Sequence, residues 1–128
     1  YPEGPYAAHW LDIVGQASEQ PIFAHVNWFQ RDAEDGHFLW PGYRENLRAL
    51  LWLMQLRDGE VTGRETPVGI LPTEEELDLT GLDLPALDTA RWKQELDHRQ
   101  THLEQFGGLP EEIGGAPRRI VAALDAEG

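Results

Sequence analysis

Proline and glycine divide this chain into short segments at Gly15, Pro21, Pro41-Gly42, Asp58-Gly59, Pro67, Pro72 and Gly107-Gly108, and each segment has to be read by itself. Before the first break, Tyr6, Trp10, Ile13 and Val14 recur at helical spacing, which predicts a short amphipathic helix over Tyr6–Val14 with Gly15 as its C-cap. After Pro21, the run Ile22–Phe29 is rich in strand-favouring residues and long enough for a buried strand. Asp32–Gly36 has turn chemistry and His37–Trp40 resumes an extended aromatic stretch, so the expectation is strand, hairpin-like loop, strand.

Past Pro41-Gly42, a helix is predicted from about Arg44 to Arg57. Leu47, Leu50, Leu51 and Met54 lie on one of its faces, the pattern of a helix packed along an apolar stripe. Asp58-Gly59 ends it. Thr66–Pro72 reads as an extended edge or loop, because prolines stand near both ends. Thr73–Glu76 has the hydroxyl and the following glutamate of a helix start. A later helix runs from about Asp88 to Phe106, with Trp92, Leu96, Leu103 and Phe106 along a stripe that Arg99 interrupts. Gly107-Gly108 stops it, and Pro110 opens a weaker helical stretch towards Leu124. The predicted class is α+β, a few strands with three to five helices.

A length of 128 residues suits one domain with a real core, and 41% apolar residues with five tryptophans argue against a disordered tail. A formal charge of −13 opposes general affinity for nucleic acid or an anionic membrane, while leaving room for a small phosphate-bearing ligand at a local site. No apolar run approaches the roughly 20 residues that cross a bilayer, and Tyr1–Pro5 lacks the basic and apolar regions of a signal peptide. The absence of cysteine rules out disulfides and thiolate metal sites, so the cytoplasm is the expected location. Met54 is the only methionine, hence Tyr1 is not an ordinary translation start and a fragment or processed chain is expected.

Phe29, Phe38, Trp40 and Tyr43 fall within fifteen residues, around two turns and just before a helix. Rings beside a helix N-terminus suit a purine, which stacks on them while backbone N–H groups favour phosphate or carbonyl oxygen. Asn46, in the first turn, offers both a donor and an acceptor to the edge of a base. Composition alone equally allows these aromatics to be core, where such rings usually pack.

The run Phe23-Ala24-His25-Val26-Asn27-Trp28-Phe29, then Asp32, Gly36, Phe38-Leu39-Trp40-Pro41-Gly42-Tyr43 and Glu45-Asn46, resembles the C-terminal block of GTP-dependent phosphoenolpyruvate carboxykinases. Arg48, Trp52, Glu65-Thr66-Pro67-Val68-Gly69 and Thr80-Gly81-Leu82 continue in that family's order. His9-Trp10-Leu11 and Leu109-Pro110-Glu111-Glu112-Ile113 flank them, so the resemblance covers nearly the whole chain. It implies the last part of an α/β nucleotide-binding domain, spanning residues 1–128 as a single domain or fragment. It also implies a guanine held between Phe29 and Tyr43, with Phe38 lining the pocket, Asn46 on the base edge, and Trp28 and Trp40 supporting the walls. The implied reaction turns oxaloacetate and GTP into phosphoenolpyruvate, carbon dioxide and GDP, with a divalent metal (Mn or Mg) in the full enzyme. Tyr43 stands where the family usually has phenylalanine, and Arg44 where it usually has glycine. If that glycine supplies backbone room, Arg44 crowds the pocket; if not, its guanidinium is free to stack or to meet phosphate.

The chemistry the resemblance implies needs a lysine-and-serine phosphate loop, metal ligands and substrate-binding arginines. The sequence holds no G-x-x-x-x-G-K-[ST] motif, and its only lysine, Lys93, lies outside any glycine-rich context. The chain by itself is expected to be inactive, with no catalytic residue and no metal ligand of its own. The implied partners are a guanine nucleotide and the remainder of a carboxykinase chain, or a partner chain that supplies it. A stand-alone purine-nucleotide module, or an interaction domain without ligand, are the alternatives. His98 and His102 are four apart on a helix but lack an evident third ligand, and His25 and His37 have no partner at diagnostic spacing. Asp32, Glu34, Asp35 and Gly36 resemble a calcium loop only in composition, since the twelve-residue pattern is absent.

Overall fold

A computed structural model describes residues 2–32, 34–82 and 88–127; Tyr1 of the N-terminal segment and Ala33 of the Asp32–Gly36 turn lie outside the described residues. The described elements are five helices and one two-stranded sheet, in the order α1 (Glu3–Gln16), α2 (Asn46–Asp58), β1 (Arg64–Thr66), β2 (Gly69–Leu71), α3 (Thr89–Leu103), α4 (Glu111–Gly114) and α5 (Ala116–Glu127). This is the α+β composition expected. Residues divide into two compact units, 1–21 with 87–128, and 22–86.

In the first unit, α3 begins where an aspartate can cap it: the Asp88 carboxylate accepts from the Arg91 N–H at 3.1 Å. Helices α3 and α5 pack on each other, and each contributes a buried leucine, Leu96 and Leu124. Burying a side chain of this size stabilises by roughly 1.5–3 kcal/mol. The Lys93 ammonium meets the Asp125 carboxylate at 2.5 Å across the same pair. The only lysine of the chain is thus a surface tie between helices. Arg119 donates to the Glu111 and Glu112 carbonyls, at 2.9 and 2.7 Å, and joins α4 to α5. Helix α1 runs through the predicted Gly15 stop by one residue and ends at Gln16, with Ala17 in extended backbone. Its Gly4 is buried so closely on the Gly107 and Gly108 backbone that a Cβ there would overlap the Gly108 carbonyl.

In the second unit, α2 follows a 3-10 turn over Tyr43–Glu45 and ends at Gly59, whose left-handed φ of 74° closes the helix as its sequence predicts. β1 and β2 pair antiparallel around Pro67-Val68, with Glu65 opposite Ile70, so the segment read as edge or loop is one strand of a hairpin and its turn. Trp52, 5% exposed, and Leu77 form the core of this unit. The predicted helix at Thr73–Glu76 is a single turn instead, with the Glu76 and Leu77 N–H groups donating to the Thr73 carbonyl. Its glutamate side chain is drawn away towards Trp52 and the start of the hairpin.

Two expectations are overturned. Ile22–Phe29 is not a strand: it has no ladder partner, and Ile22, Phe23, Val26 and Phe29 are exposed. A strand exists only where a neighbour takes its N–H and C=O groups, and among the described residues none pairs with this run. Helix α2 turns Trp52 inward, while Leu47, Leu50, Leu51 and Met54, the predicted packing stripe, face outward. The indole is larger than any one of these side chains and forms the centre of the core that the unit has.

Candidate functional site: an aromatic hairpin ahead of a helix

Residues 27–46 build the site by short-range rules. The Asn27 Oδ1 accepts from the Phe29 N–H at 3.1 Å and sets a turn at Trp28-Phe29. The chain then reverses at Asp32–Gly36, where the Asp32 Oδ1 accepts from the Glu34 and Asp35 N–H groups at 2.7 and 3.2 Å, and Gly36 takes a φ of 74°. Backbone bonds from Asp32 to His37 (2.8 Å) and from Leu39 to Gln30 (2.9 Å) zip the two arms, with Arg31 bridged to Phe38. The predicted hairpin-like loop is present, on arms too briefly paired to be strands.

The zipped arms bring the sequence-predicted aromatics together in pairs. Phe29 and Phe38 meet edge-on with centroids 6.2 Å apart, and Trp28 tilts against Trp40 at 5.4 Å. The Arg31 guanidinium lies 3.8 Å from the centre of the Phe38 ring, within cation–π distance, and donates to the Gly36 carbonyl at 2.7 Å. Phe29 is 76% exposed and Phe38 also lies at the surface, whereas Trp28 and Trp40 are half-buried. Phe29 and Phe38 are therefore not core.

Gly42, with φ 78°, then swings the chain into the 3-10 turn, and Asn46 opens α2. The Trp40 indole N–H donates to the Asn46 Oδ1 at 2.7 Å across that turn. Tyr43 carries a left-handed backbone, φ 45°, and is 97% exposed. Among the described residues it makes no ring contact, so the structure does not stack it with Phe29. Arg44 is absent from the left-handed residues and its side chain is 93% exposed, near Glu45 at 3.5 Å. Its backbone needs no glycine, and its side chain leaves the rings uncovered.

Two residues had no part in the predicted site. Arg31 faces Phe38 across the turn, and pairing the two arms by the Asp32–Gly36 turn would have found it. Arg48 binds the Glu45 carboxylate at 2.6 Å and donates to the Asp78 and Thr80 carbonyls at 2.7 and 3.3 Å, clamping residues 78–80 to the first turn of α2. Nothing in its local sequence signals partners thirty residues away.

Asp32, Asp35 and His37 place one ligand-type atom each within 4.8 Å of one another. These donors already serve the turn. The Asp35 carboxylate accepts from the His37 N–H and approaches its imidazole at 2.5 Å, contacts that hold Asp35 below the usual carboxylate range, and Asp32 caps two backbone N–H groups. The set does not fit the divalent metal that the resemblance implies. His98 and His102 lie on an exposed face of α3, where His102 packs edge-on against Phe106 at 5.0 Å.

Residues 1–122 match a family model described as the phosphoenolpyruvate carboxykinase C-terminal P-loop domain. The chain is 44% identical over 124 residues to the mitochondrial phosphoenolpyruvate carboxykinase [GTP] of Homo sapiens, covering 88% of this chain and 19% of that protein. It is 41% identical over 123 residues to the phosphoenolpyruvate carboxykinase [GTP] of Chlamydia muridarum, covering 88% of this chain and 20% of the relative. The enzyme of the same name from Renibacterium salmoninarum is 37% identical over 126 residues, with 90% and 21% covered. The chain spans about a fifth of the length of these curated relatives. Its order of motifs, its exposed aromatic hairpin and the match over nearly its whole length agree: the chain belongs to the GTP-dependent phosphoenolpyruvate carboxykinase family, in the C-terminal domain.

Proposed function

We propose that residues 1–128 are the guanine-nucleotide-binding C-terminal part of a GTP-dependent phosphoenolpyruvate carboxykinase, which converts oxaloacetate and GTP to phosphoenolpyruvate, carbon dioxide and GDP. The observation that carries this is the exposed pair Phe29 and Phe38 beside the half-buried pair Trp28 and Trp40, with Trp40 hydrogen-bonded to Asn46. Phe29 and Tyr43 supply ring faces for the base, Phe38 lines the site, and Asn46 meets the base edge. Arg44, free of the rings, is placed to meet phosphate or solvent.

Phosphoryl transfer rests on a metal and cationic groups around the transferring phosphate, which neutralise its developing charge. With no phosphate-loop motif in the 128 residues, that part of the work belongs to the remainder of the carboxykinase chain, or to a partner chain that supplies it. The outward apolar stripe of α2 supports such a partner.

Titration of the chain with GDP, followed by calorimetry and by the fluorescence of Trp28 and Trp40, tests the pocket. A base–ring stack contributes roughly 1–3 kcal/mol, so Phe29→Ala is expected to weaken GDP roughly five- to a hundredfold. Unchanged GDP affinity in a folded Phe29→Ala chain sinks the assignment.

A further inference from the structure

The Trp40–Asn46 hydrogen bond has a consequence for selectivity between purines. An indole N–H can donate and cannot accept, so the side-chain amide that meets it at 2.7 Å must present its oxygen. Among the described residues, nothing accepts from the Asn46 Nδ2. The amide is therefore held in one sense, with its oxygen towards Trp40 and its NH2 turned to the other side. Trp40 is itself held: it is half-buried and tilted against Trp28 at 5.4 Å. Asn46 is fixed as the first residue of α2.

The two purines differ in the order of groups along the edge an amide can read. Guanine offers a carbonyl acceptor at position 6 followed by an N1–H donor. Adenine offers an amino donor at position 6 followed by an N1 acceptor. An asparagine amide carries one acceptor and one donor, and a half-turn about its last side-chain bond exchanges them. A free asparagine therefore matches either purine by turning over. A pinned one offers the base its donor alone, which the position-6 carbonyl of guanine accepts and which leaves donor facing donor at the position-6 amino group of adenine.

We propose that Trp40 is a positioning residue for nucleotide selectivity: by holding the Asn46 oxygen, it aims the Nδ2 donor at the position-6 carbonyl of a guanine and rejects adenine. This deepens the proposed function and rests on its placement of Asn46 at the base edge. Trp40 touches no ligand in this role and acts through Asn46.

The test compares GDP and ADP binding by calorimetry in the wild-type chain, Trp40→Phe and Asn46→Ala. Trp40→Phe keeps a ring against Trp28 and removes only the N–H donor. The net worth of one such hydrogen bond predicts that the ratio of ADP to GDP dissociation constants falls about tenfold in Trp40→Phe. GDP weakens and ADP strengthens. A purely structural role would weaken both nucleotides together and leave the ratio unchanged, and that result overturns the proposal while sparing the pocket. A wild-type chain that binds no GDP, or an Asn46→Ala chain with wild-type GDP affinity, overturns the underlying reading and the proposal together. Should Trp40→Phe fail to fold, the Trp40 indole N–H resonance decides the matter. It is expected to shift upfield and exchange faster with water in Asn46→Ala, and an unmoved resonance overturns the hydrogen bond. As a further check on the edge, the diphosphate of 2-aminopurine riboside, which lacks the position-6 oxygen, is expected to bind wild type about tenfold more weakly than GDP. Equal binding of the two overturns the aim of Nδ2 at that oxygen.

Discussion

Tyr43 is the one residue other than glycine with a left-handed backbone among those described, at φ 45°. In this region an L-residue's Cβ crowds its carbonyl, at roughly 1–2 kcal/mol. With its side chain 97% exposed, packing returns nothing for that strain. The strain persists because Gly42 and the 3-10 turn carry the chain from the aromatic hairpin into α2 by this route. Tyr43→Gly is therefore expected to raise unfolding stability by about 0.5–1 kcal/mol in urea denaturation. In the proposed function Tyr43 is a ring face, so the same change is expected to weaken GDP roughly five- to a hundredfold. Tyr43→Phe should leave both quantities near wild type. A Tyr43→Gly chain less stable than wild type would show that the ring packs on the protein rather than waiting for a base.

At the scale of elements, Glu76 ties three segments together. Its carboxylate accepts from the Thr62 and Gly63 N–H groups, each at 3.0 Å, from the Trp52 indole at 3.3 Å, and from the Thr73 N–H at 3.4 Å. Gly63, at φ 66°, approaches so closely that a Cβ would lie 2.5 Å from the Ile70 side chain and 2.8 Å from the Leu71 carbonyl. The Gly63 and Thr62 N–H groups, more than the Thr73 N–H and the Trp52 indole, hold Glu76 below its ordinary pKa of 4.5. A carboxyl lowered in the folded state binds fewer protons there than in the unfolded chain. Its contribution is complete above that ordinary value and drains away as pH falls through the lower folded one. Denaturation measured from about pH 7 down to about pH 3 should show Glu76→Gln less stable than wild type at neutrality and shallower on the acid side. Some acid sensitivity remains, because Asp35 and Asp78 are lowered too, Asp78 chiefly by the Thr80 hydroxyl. An unchanged acid slope in Glu76→Gln would mean that the carboxylate does not hold the three segments.

The same residues show which parts of the molecule could be read from its sequence. Asp88 as a cap, Gly59 as a stop and Asp32–Gly36 as a reversal are local, since each acts within four or five residues of itself. The ring pairs follow once that reversal is granted. The Trp40–Asn46 bond was hidden because it crosses a turn that needs left-handed backbone at both Gly42 and Tyr43. Glu76 looked like the third residue of a helix start, and its reach back to Thr73 survives at 3.4 Å. Its stronger partners come from a strand start thirteen residues earlier, which no local rule reports. Strand character in Ile22–Phe29 depends on a neighbouring edge, and periodicity carries no information about one.

For the whole molecule, the telling fact is where apolar surface is left over. Leu47, Leu50, Leu51 and Met54 are each about half exposed or more along one face of α2, and Ile22, Phe23 and Val26 are exposed in the same unit. Soluble monomers seldom leave so much contiguous apolar surface open, and such a face ordinarily meets a partner. In the proposed function that partner is the remainder of the carboxykinase. The triple change Leu47→Gln, Leu50→Gln and Met54→Gln separates an interface from a core. Glutamine keeps good helix propensity, so within the 128-residue chain the triple variant should unfold within about 0.5 kcal/mol of wild type. Binding of a hydrophobic dye and concentration-dependent self-association should both fall. In a longer carboxykinase chain the same triple change should instead destabilise by roughly 1.5–3 kcal/mol for each side chain that becomes covered. A loss of several kcal/mol in the 128-residue chain would place this stripe in its core. Equal, small effects in both chains would mean that nothing covers it, and the outward face of α2 would then be ordinary surface.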